Sequence, residues 1–302
     1  MKSSCILVAL FSLSFMAGCQ KQGPIDLIDG GSESNPIEII TTPASSAGTI
    51  FGADDIDPAG LFPVSQQKTF GQLIVAGSEF DSATVHHEGS LARAIFFDHS
   101  EPVIVNSDTI AYRSLDAGIV ALDDVPLLKL PKRLVDRTIL LDTLLGVQYS
   151  LVDRDGIGGR GFQFSGGHAY RWRSSGSGSI PPISLGCTSP PALHVSSPAP
   201  GDVIPLSRDL EVHWNGGGST VGIIISDYQS DRRTRPLIQL RLRVNRGSVV
   251  IPSSLLQILR DRTRALFTFT SQTASTARVT GFGDDILVQA ITTHHLLLTL
   301  KR

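Results

Sequence analysis

The chain has 302 residues, 41 % of them hydrophobic, and a formal net charge of −2. That apolar content suffices for packed cores in one large or two ordinary domains and excludes an intrinsically disordered chain. The near-neutral balance, with no basic run beyond Arg232-Arg233-Thr234-Arg235, argues against a nucleic-acid-binding protein.

Lys2 gives a positive start, Cys5 to Phe15 is apolar apart from Ser12 and Ser14, and Met16-Ala17-Gly18-Cys19 leads into polar Gln20-Lys21-Gln22. The apolar run is about half of the ~20 residues that a spanning helix needs, so it reads as a secretory signal and not as a membrane span. The small pair Ala17-Gly18 ahead of Cys19 resembles the lipobox of bacterial lipoproteins, with Met16 where leucine is most frequent. The resemblance implies cleavage after Gly18 and lipid attachment at Cys19, with more than one acyl chain holding the protein on a membrane. In enterobacterial-type lipoproteins an aspartate at the position of Gln20 favours inner-membrane retention, so the resemblance implies an outer-membrane destination in the bacterial cell envelope. The alternative is an ordinary signal peptide cleaved near Gly18, which leaves Cys19 a plain thiol.

Gln20 to about Gly48 is rich in Gly, Ser, Pro and Thr without a sustained apolar period, the composition of a flexible tether. From Phe51 onward short apolar or alternating runs are punctuated by turn residues, and helical period is nearly absent. Strands are predicted at Thr69 to Ala76, Leu91 to Phe97, Pro102 to Val105, Gly118 to Leu122, Thr138 to Val152 and Gly161 to Arg173. Breaks are predicted at Gly77-Ser78, His87-Glu88-Gly89, Asn106-Ser107-Asp108 and Asp153-Arg154-Asp155-Gly156. In Tyr170-Arg171-Trp172-Arg173 the aromatics share one face and the arginines the other, as a half-buried strand requires.

Arg173 to Pro191, with its Ser-Gly run and paired prolines, reads as an exposed crossover between domains. Beyond it, strands are predicted at Leu193 to Ser197, Leu210 to Trp214, Val221 to Ser226, Ile238 to Val244, Ser248 to Ile251, Leu266 to Ser271, Ala277 to Gly281 and Ile286 to Leu300, the last broken near Thr293. A helical turn capped by Ser253 or Ser254 gathers Leu255, Leu256 and Leu259 on one face. The opening Ser197-Pro198-Ala199-Pro200-Gly201, leading to a strand that ends in Trp214, resembles immunoglobulin-like and fibronectin-like sandwich modules of bacterial surface proteins. The resemblance covers roughly Leu193 to Leu300. It implies a buried Trp214, packed on aliphatic neighbours because the cysteine pair of antibody domains is missing.

The expected organisation is therefore all-β, with two β-sandwich-like domains: signal peptide 1–18, lipidated cysteine and flexible linker 19–49, first domain 50–189, second domain 190–302. From Ile50 to Ser189 there are 11 basic and 16 acidic residues, and from Pro190 onward 13 basic and 8 acidic, so the halves differ in sign. Cys5 leaves with the signal and Cys19 carries lipid, so Cys187 stands alone and no intramolecular disulfide is expected.

The candidate chemistry is sparse. Asp153-Arg154-Asp155-Gly156 starts like a calcium loop but meets Ile157 and Phe164 where further oxygen ligands belong. The glycines from Gly156 to Gly161 lack the Lys-Ser/Thr of a phosphate loop and read as a hairpin tip. In His86-His87 and His294-His295 neighbours on a strand point to opposite faces, so a metal site would need His99, His168, His194 or His213 to converge with one of them. Asp123-Asp124 and Asp284-Asp285 read as turn residues, and no hydrolase motif is present. Tyr170, Trp172, Trp214 and Tyr228 are the aromatics that a sugar-stacking platform would use. No catalytic, cofactor-binding or metal residue is assigned, and no cofactor is expected. The expected role is a non-enzymatic structural or interaction module held to a membrane by lipid, with envelope proteins or polysaccharide as partners. A carbohydrate-binding lipoprotein and an envelope hydrolase are the alternatives.

Overall fold

A computed structural model describes residues 37–41, 51–52, 69–105, 108–136, 141–154, 162–178, 180–228, 233–279 and 284–302, all within one compact unit, Asn35–Arg302. The expected signal segment, Cys19, most of the expected linker, Asp155 to Gly161 and Arg232 lie outside the described residues.

The described chain is all-β. Its strands are β1 (Ile37–Thr41), β2 (Phe51–Gly52), β3 (Thr69–Asp81), β4 (His86–Val105), β5 (Asp108–Ser114), β6 (Val120–Leu122), β7 (Val125–Pro126), β8 (Leu128–Asp136), β9 (Leu141–Arg154) and β10 (Ala169–Ser174). They continue with β11 (Ile183–Thr188), β12 (His194–Ser197), β13 (Val203–Pro205), β14 (Leu210–Asn215), β15 (Val221–Tyr228), β16 (Arg233–Leu242), β17 (Ser248–Ile251), β18 (Arg264–Arg278) and β19 (Asp285–Lys301). One helical turn, α1 (Ser253–Leu256), sits between β17 and β18.

A large sheet runs in the order β1-β16-β15-β18-β19-β3-β4-β9-β8, with β2, β5 and β13 alongside β16, β4 and β19. Its pairings are antiparallel except where β19 meets β3 and β13. Two smaller sheets, β11-β10-β6-β7 and β12-β14-β17, cover parts of it. Under the first lie Leu73, Phe96, Tyr149 and Trp172; under the second lie Val212, Trp214, Ile223, Phe267 and Phe269. Burying each such side chain contributes about 1.5–3 kcal/mol, and these two cores hold the sandwich-like layers together.

Both cores lie on the same face of the large sheet. Side chains alternate across a strand, and along β19 Ile286, Val288 and Ala290 enter one core while Leu296, Leu298 and Leu300 enter the other. Thr292 and His294 share that parity and fill the interval between them. The expected boundary at 189/190 separates the two covering sheets, while the large sheet runs across it through the β3–β19 pairing.

Several local expectations change. β3 and β4 continue through the predicted breaks at Gly77-Ser78 and His87-Glu88-Gly89. Gly77 is there for space and not for a turn, because a Cβ on it would lie 2.2 Å from Cδ1 of Phe164. β18 is continuous over Arg264–Arg278, and β19 is unbroken at Thr293. The predicted exposed crossover contains β11, which pairs along the whole of β10. The linker expected over 19–49 contains β1, whose Ile-Glu-Ile-Ile-Thr run is short but β-branched and pairs with β16. α1 has Pro252 at its N-cap and no side-chain cap of its own; Asp209 Oδ1 instead accepts the Ser253 N–H at 2.7 Å. Tyr170 and Trp172 are buried and Arg171 and Arg173 exposed, as the alternation of β10 requires.

Candidate functional site

The interval between the two cores is polar, and its chemistry follows from strand register. Glu79 and Asp81 end β3 two residues apart, on the face that buries Leu73 and Val75. Parallel pairing sets Glu79 beside His294 of β19, and antiparallel pairing sets Asp81 beside His86 of β4. β12 lies over this face: Leu193 donates its N–H to Thr292 Oγ1 at 3.1 Å, and Val195 donates its N–H to His294 Nδ1 at 3.0 Å. Between those two anchors His194 points outward, with its ring centroid 5.1 Å from that of His294.

Glu79, Asp81, His194 and His294 each bring one ligand atom into a group spanning no more than 4.8 Å. His194 Nδ1 is 3.1 Å from both carboxylate oxygens of Glu79. His294 Nδ1 is 3.5 Å from Glu79 Oε2, and its Nε2 is 3.1 Å from Asp81 Oδ2. His86 Nδ1 reaches Asp81 Oδ1 at 2.7 Å and stands 3.9 Å from Glu79 Oε1. Exposure grades outward: the His294 side chain is 0 % exposed, Asp81 11 %, Glu79 23 % and His194 55 %.

Burial pushes the pKa of His294 down, against the opposing pull of the Glu79 and Asp81 charges, which favours the neutral ring. Since Nδ1 accepts from Val195, the proton of the neutral ring belongs on Nε2. That N–H faces Asp81 Oδ2 at close range but off the hydrogen-bonding direction, so the fully buried nitrogen has no aligned acceptor. His86 shifts the other way: its hydrogen bond to Asp81 raises its pKa, with smaller contributions from the charges of Asp81, Glu79 and Glu88. The cluster thus gathers two carboxylates, a neutral buried imidazole and two exposed ones, a set able to hold a proton or a cation.

The other candidate residues are placed elsewhere. His295, on the opposite face from His294, meets Thr268 Oγ1 at 3.0 Å. His99 pairs with Asp284, His168 with Asp123 and His213 with Glu211, each one imidazole to one carboxylate. Asp123 and Asp124 occupy a turn with φ of 45° and 68°; Asp123 accepts the Arg171 N–H, and Asp124 is ion-paired with Arg173. Asp285 faces Arg278 at 3.5 Å. Trp172, Trp214 and Tyr170 are buried in the cores and Tyr228 is half-buried, so the tryptophans present no sugar-stacking platform. Trp214 packs on an aromatic neighbour as well as aliphatic ones, its ring 6.1 Å from that of Phe269. Cys187 packs against the first core and lines an open groove with Arg171, Thr273 and Ser275, a groove that shares no residue with the cluster.

Of the residues singled out from sequence, His86, His194 and His294 come together; Glu79 and Asp81 were not among them. Their one local signal is the spacing Glu-x-Asp at a strand end, which places both carboxylates on one face.

No protein-family model matches the chain, and no curated protein matches it. Among solved structures, Rst D1-D2 is 10 % identical over 78 % of this chain and 98 % of the other, with a TM-score of 0.17. The yeast delta-COP-I mu-homology domain complexed with a Dsl1 WxWxV peptide is 8 % identical over 76 % of this chain and 98 % of the other, with a TM-score of 0.22. Likenesses this distant carry no argument about fold or function.

Proposed function

We propose that the chain is a bacterial cell-envelope lipoprotein, anchored through Cys19 at the outer membrane, whose all-β body is a non-enzymatic structural or interaction module. The observation that carries this reading is Ala17-Gly18-Cys19 directly after a short apolar run and ahead of Gln20. The body suits the role, since one large sheet couples both cores and leaves loops and sheet ends as contact surfaces. At the β8 end, Lys129, Pro131, Lys132 and Arg133 discourage strand addition, which directs recognition to the loops and to the β1 end.

An immunoglobulin-like second half is part of this proposal. β12 pairs with β14 in one layer, and β13 then crosses to pair in parallel with the last strand, β19, in the other. Such a switch of the leading strand between layers suits a sandwich of that kind, and Trp214 is buried between the layers. The polysaccharide alternative loses its aromatic platform with Trp172 at 1 % and Trp214 at 3 % exposure. The hydrolase alternative finds histidine–carboxylate pairs, but no serine or cysteine side chain is bonded to those imidazoles among the described residues.

The test is intact mass and membrane partitioning of the protein expressed in a bacterial host, wild type beside Cys19→Ser. Acyl mass and outer-membrane fractionation, both lost in the variant, support the reading. A soluble, unacylated wild type overturns it and leaves a plain secreted protein.

A further inference from the structure

We propose that Glu79, Asp81 and His194 bind a divalent transition-metal ion, of which Zn²⁺ is the type, and that His294 positions the Asp81 carboxylate from behind. The ion clips β12 onto the large sheet at the interval between the two cores.

Geometry is the first support. Two ligand atoms on a tetrahedral ion with bonds of ~2.0 Å stand about 3.3 Å apart. Here His194 Nδ1 is 3.1 Å from the Glu79 carboxylate, and one atom from each of Glu79, Asp81, His194 and His294 fits within 4.8 Å. The donor set is the second. Two carboxylates and an imidazole match zinc and its neighbours, whereas calcium and magnesium sites are built from oxygen alone.

The third support is an orphan. His294 Nε2 is fully buried, aimed at the cluster and without an aligned acceptor. A metal ligand needs a lone pair, and the Val195 N–H bound to Nδ1 leaves the proton on Nε2, so His294 is not itself the ligand. Its Nε2–H is instead placed to donate to Asp81 Oδ2 once that carboxylate turns toward an ion, the part played by the groups that hold metal-binding carboxylates in place. Ligands drawn from β3 and β12, with His194 half open to solvent, leave an entry path and a fourth position for water.

The test uses the full chain, purified without a polyhistidine tag, stripped with a chelator, and titrated with ZnCl₂, CoCl₂ and CaCl₂. The expected result is one equivalent bound per chain, a visible Co²⁺ ligand-field band and a higher melting temperature with Zn²⁺. His194→Ala and Glu79→Gln weaken binding more than about a hundredfold and abolish the band, while His99→Ala and His168→Ala, whose imidazoles pair with Asp284 and Asp123 away from the cluster, retain it. His194 is exposed, so the apo melting temperature of His194→Ala stays close to wild type and separates loss of binding from loss of fold. His294→Gln weakens zinc by about 10- to 100-fold and shifts the Co²⁺ band; a variant that is less stable but unchanged in both readouts removes the positioning role. No stoichiometric binding, binding indifferent to His194→Ala, or binding of Ca²⁺ in preference to Zn²⁺ overturns the proposal.

Discussion

Trp214 donates its indole N–H to Oδ1 of Asn245 at 3.0 Å, closing the one polar link of a ring otherwise enclosed by the second core. Asn245 Oδ1 also accepts the Gly247 N–H, and its Nδ2 donates to the carbonyls of Gly216 and Gly218. One side chain therefore ties the loop after β14 to the loop before β17.

Asn245→Ala leaves the Trp214 N–H without this acceptor and frees two loop carbonyls. The expected cost is about 2–4 kcal/mol, read as a lower urea midpoint at unchanged m-value. Trp214→Phe combined with Asn245→Ala costs less than the sum of the two singles, because both remove the same bond.

Asp116 contributes to acid sensitivity in the first half. Its ion-paired hydrogen bond with Lys129, and then that from Tyr149, hold its carboxyl at about 2, below the ordinary 3.8. A folded value below the unfolded one stabilises the protein above about pH 4, and that stability is lost as pH falls toward 2. The side chain is 45 % exposed, so screening limits the contribution to under about 1 kcal/mol. Asp116→Asn should flatten stability against pH between 4 and 2, measured by urea unfolding at each pH.

Gly77→Ala forces a methyl into the ring of Phe164, and overpacking of this kind costs about 1–3 kcal/mol. Phe164→Ala in the same chain should recover part of that loss, since it removes the atoms that clash. Thermal unfolding of the two singles and the double variant decides it; a double no better than additive places the strain elsewhere.

Burial raises the Cys187 thiol to about 11 from an ordinary 9.0. At pH 8 about a hundredfold fewer thiolates are then present than in the unfolded chain, and iodoacetamide labelling should slow by a similar factor. Labelling at equal rates with and without urea refutes the shift.

The all-β class and the inward faces of β10 and β14 were legible in the sequence because alternation is a local signal. Strand lengths were not, since a glycine reads as a turn when the ring that requires it, Phe164, is far along the chain. The register that joins β3 to β19 is equally hidden: parallel neighbours come from distant segments, and nothing in either strand names its partner. His194 and Glu79 are 115 residues apart, so their meeting is a product of topology and not of motif spacing. Adjacent histidines, by contrast, behaved as strand geometry demands, His294 turning to the cluster and His295 to Thr268.

The pairing of β3 with β19 gives the chain a particular mode of failure and of rescue. Severing it between residues 189 and 190 would strip β3 of one neighbour and β19 of the same length of partner, so each fragment would carry a long raw edge matching the other. Co-expressed, such fragments are built to find one another and restore the sheet as a split protein. Expressed alone, each is a template for self-association.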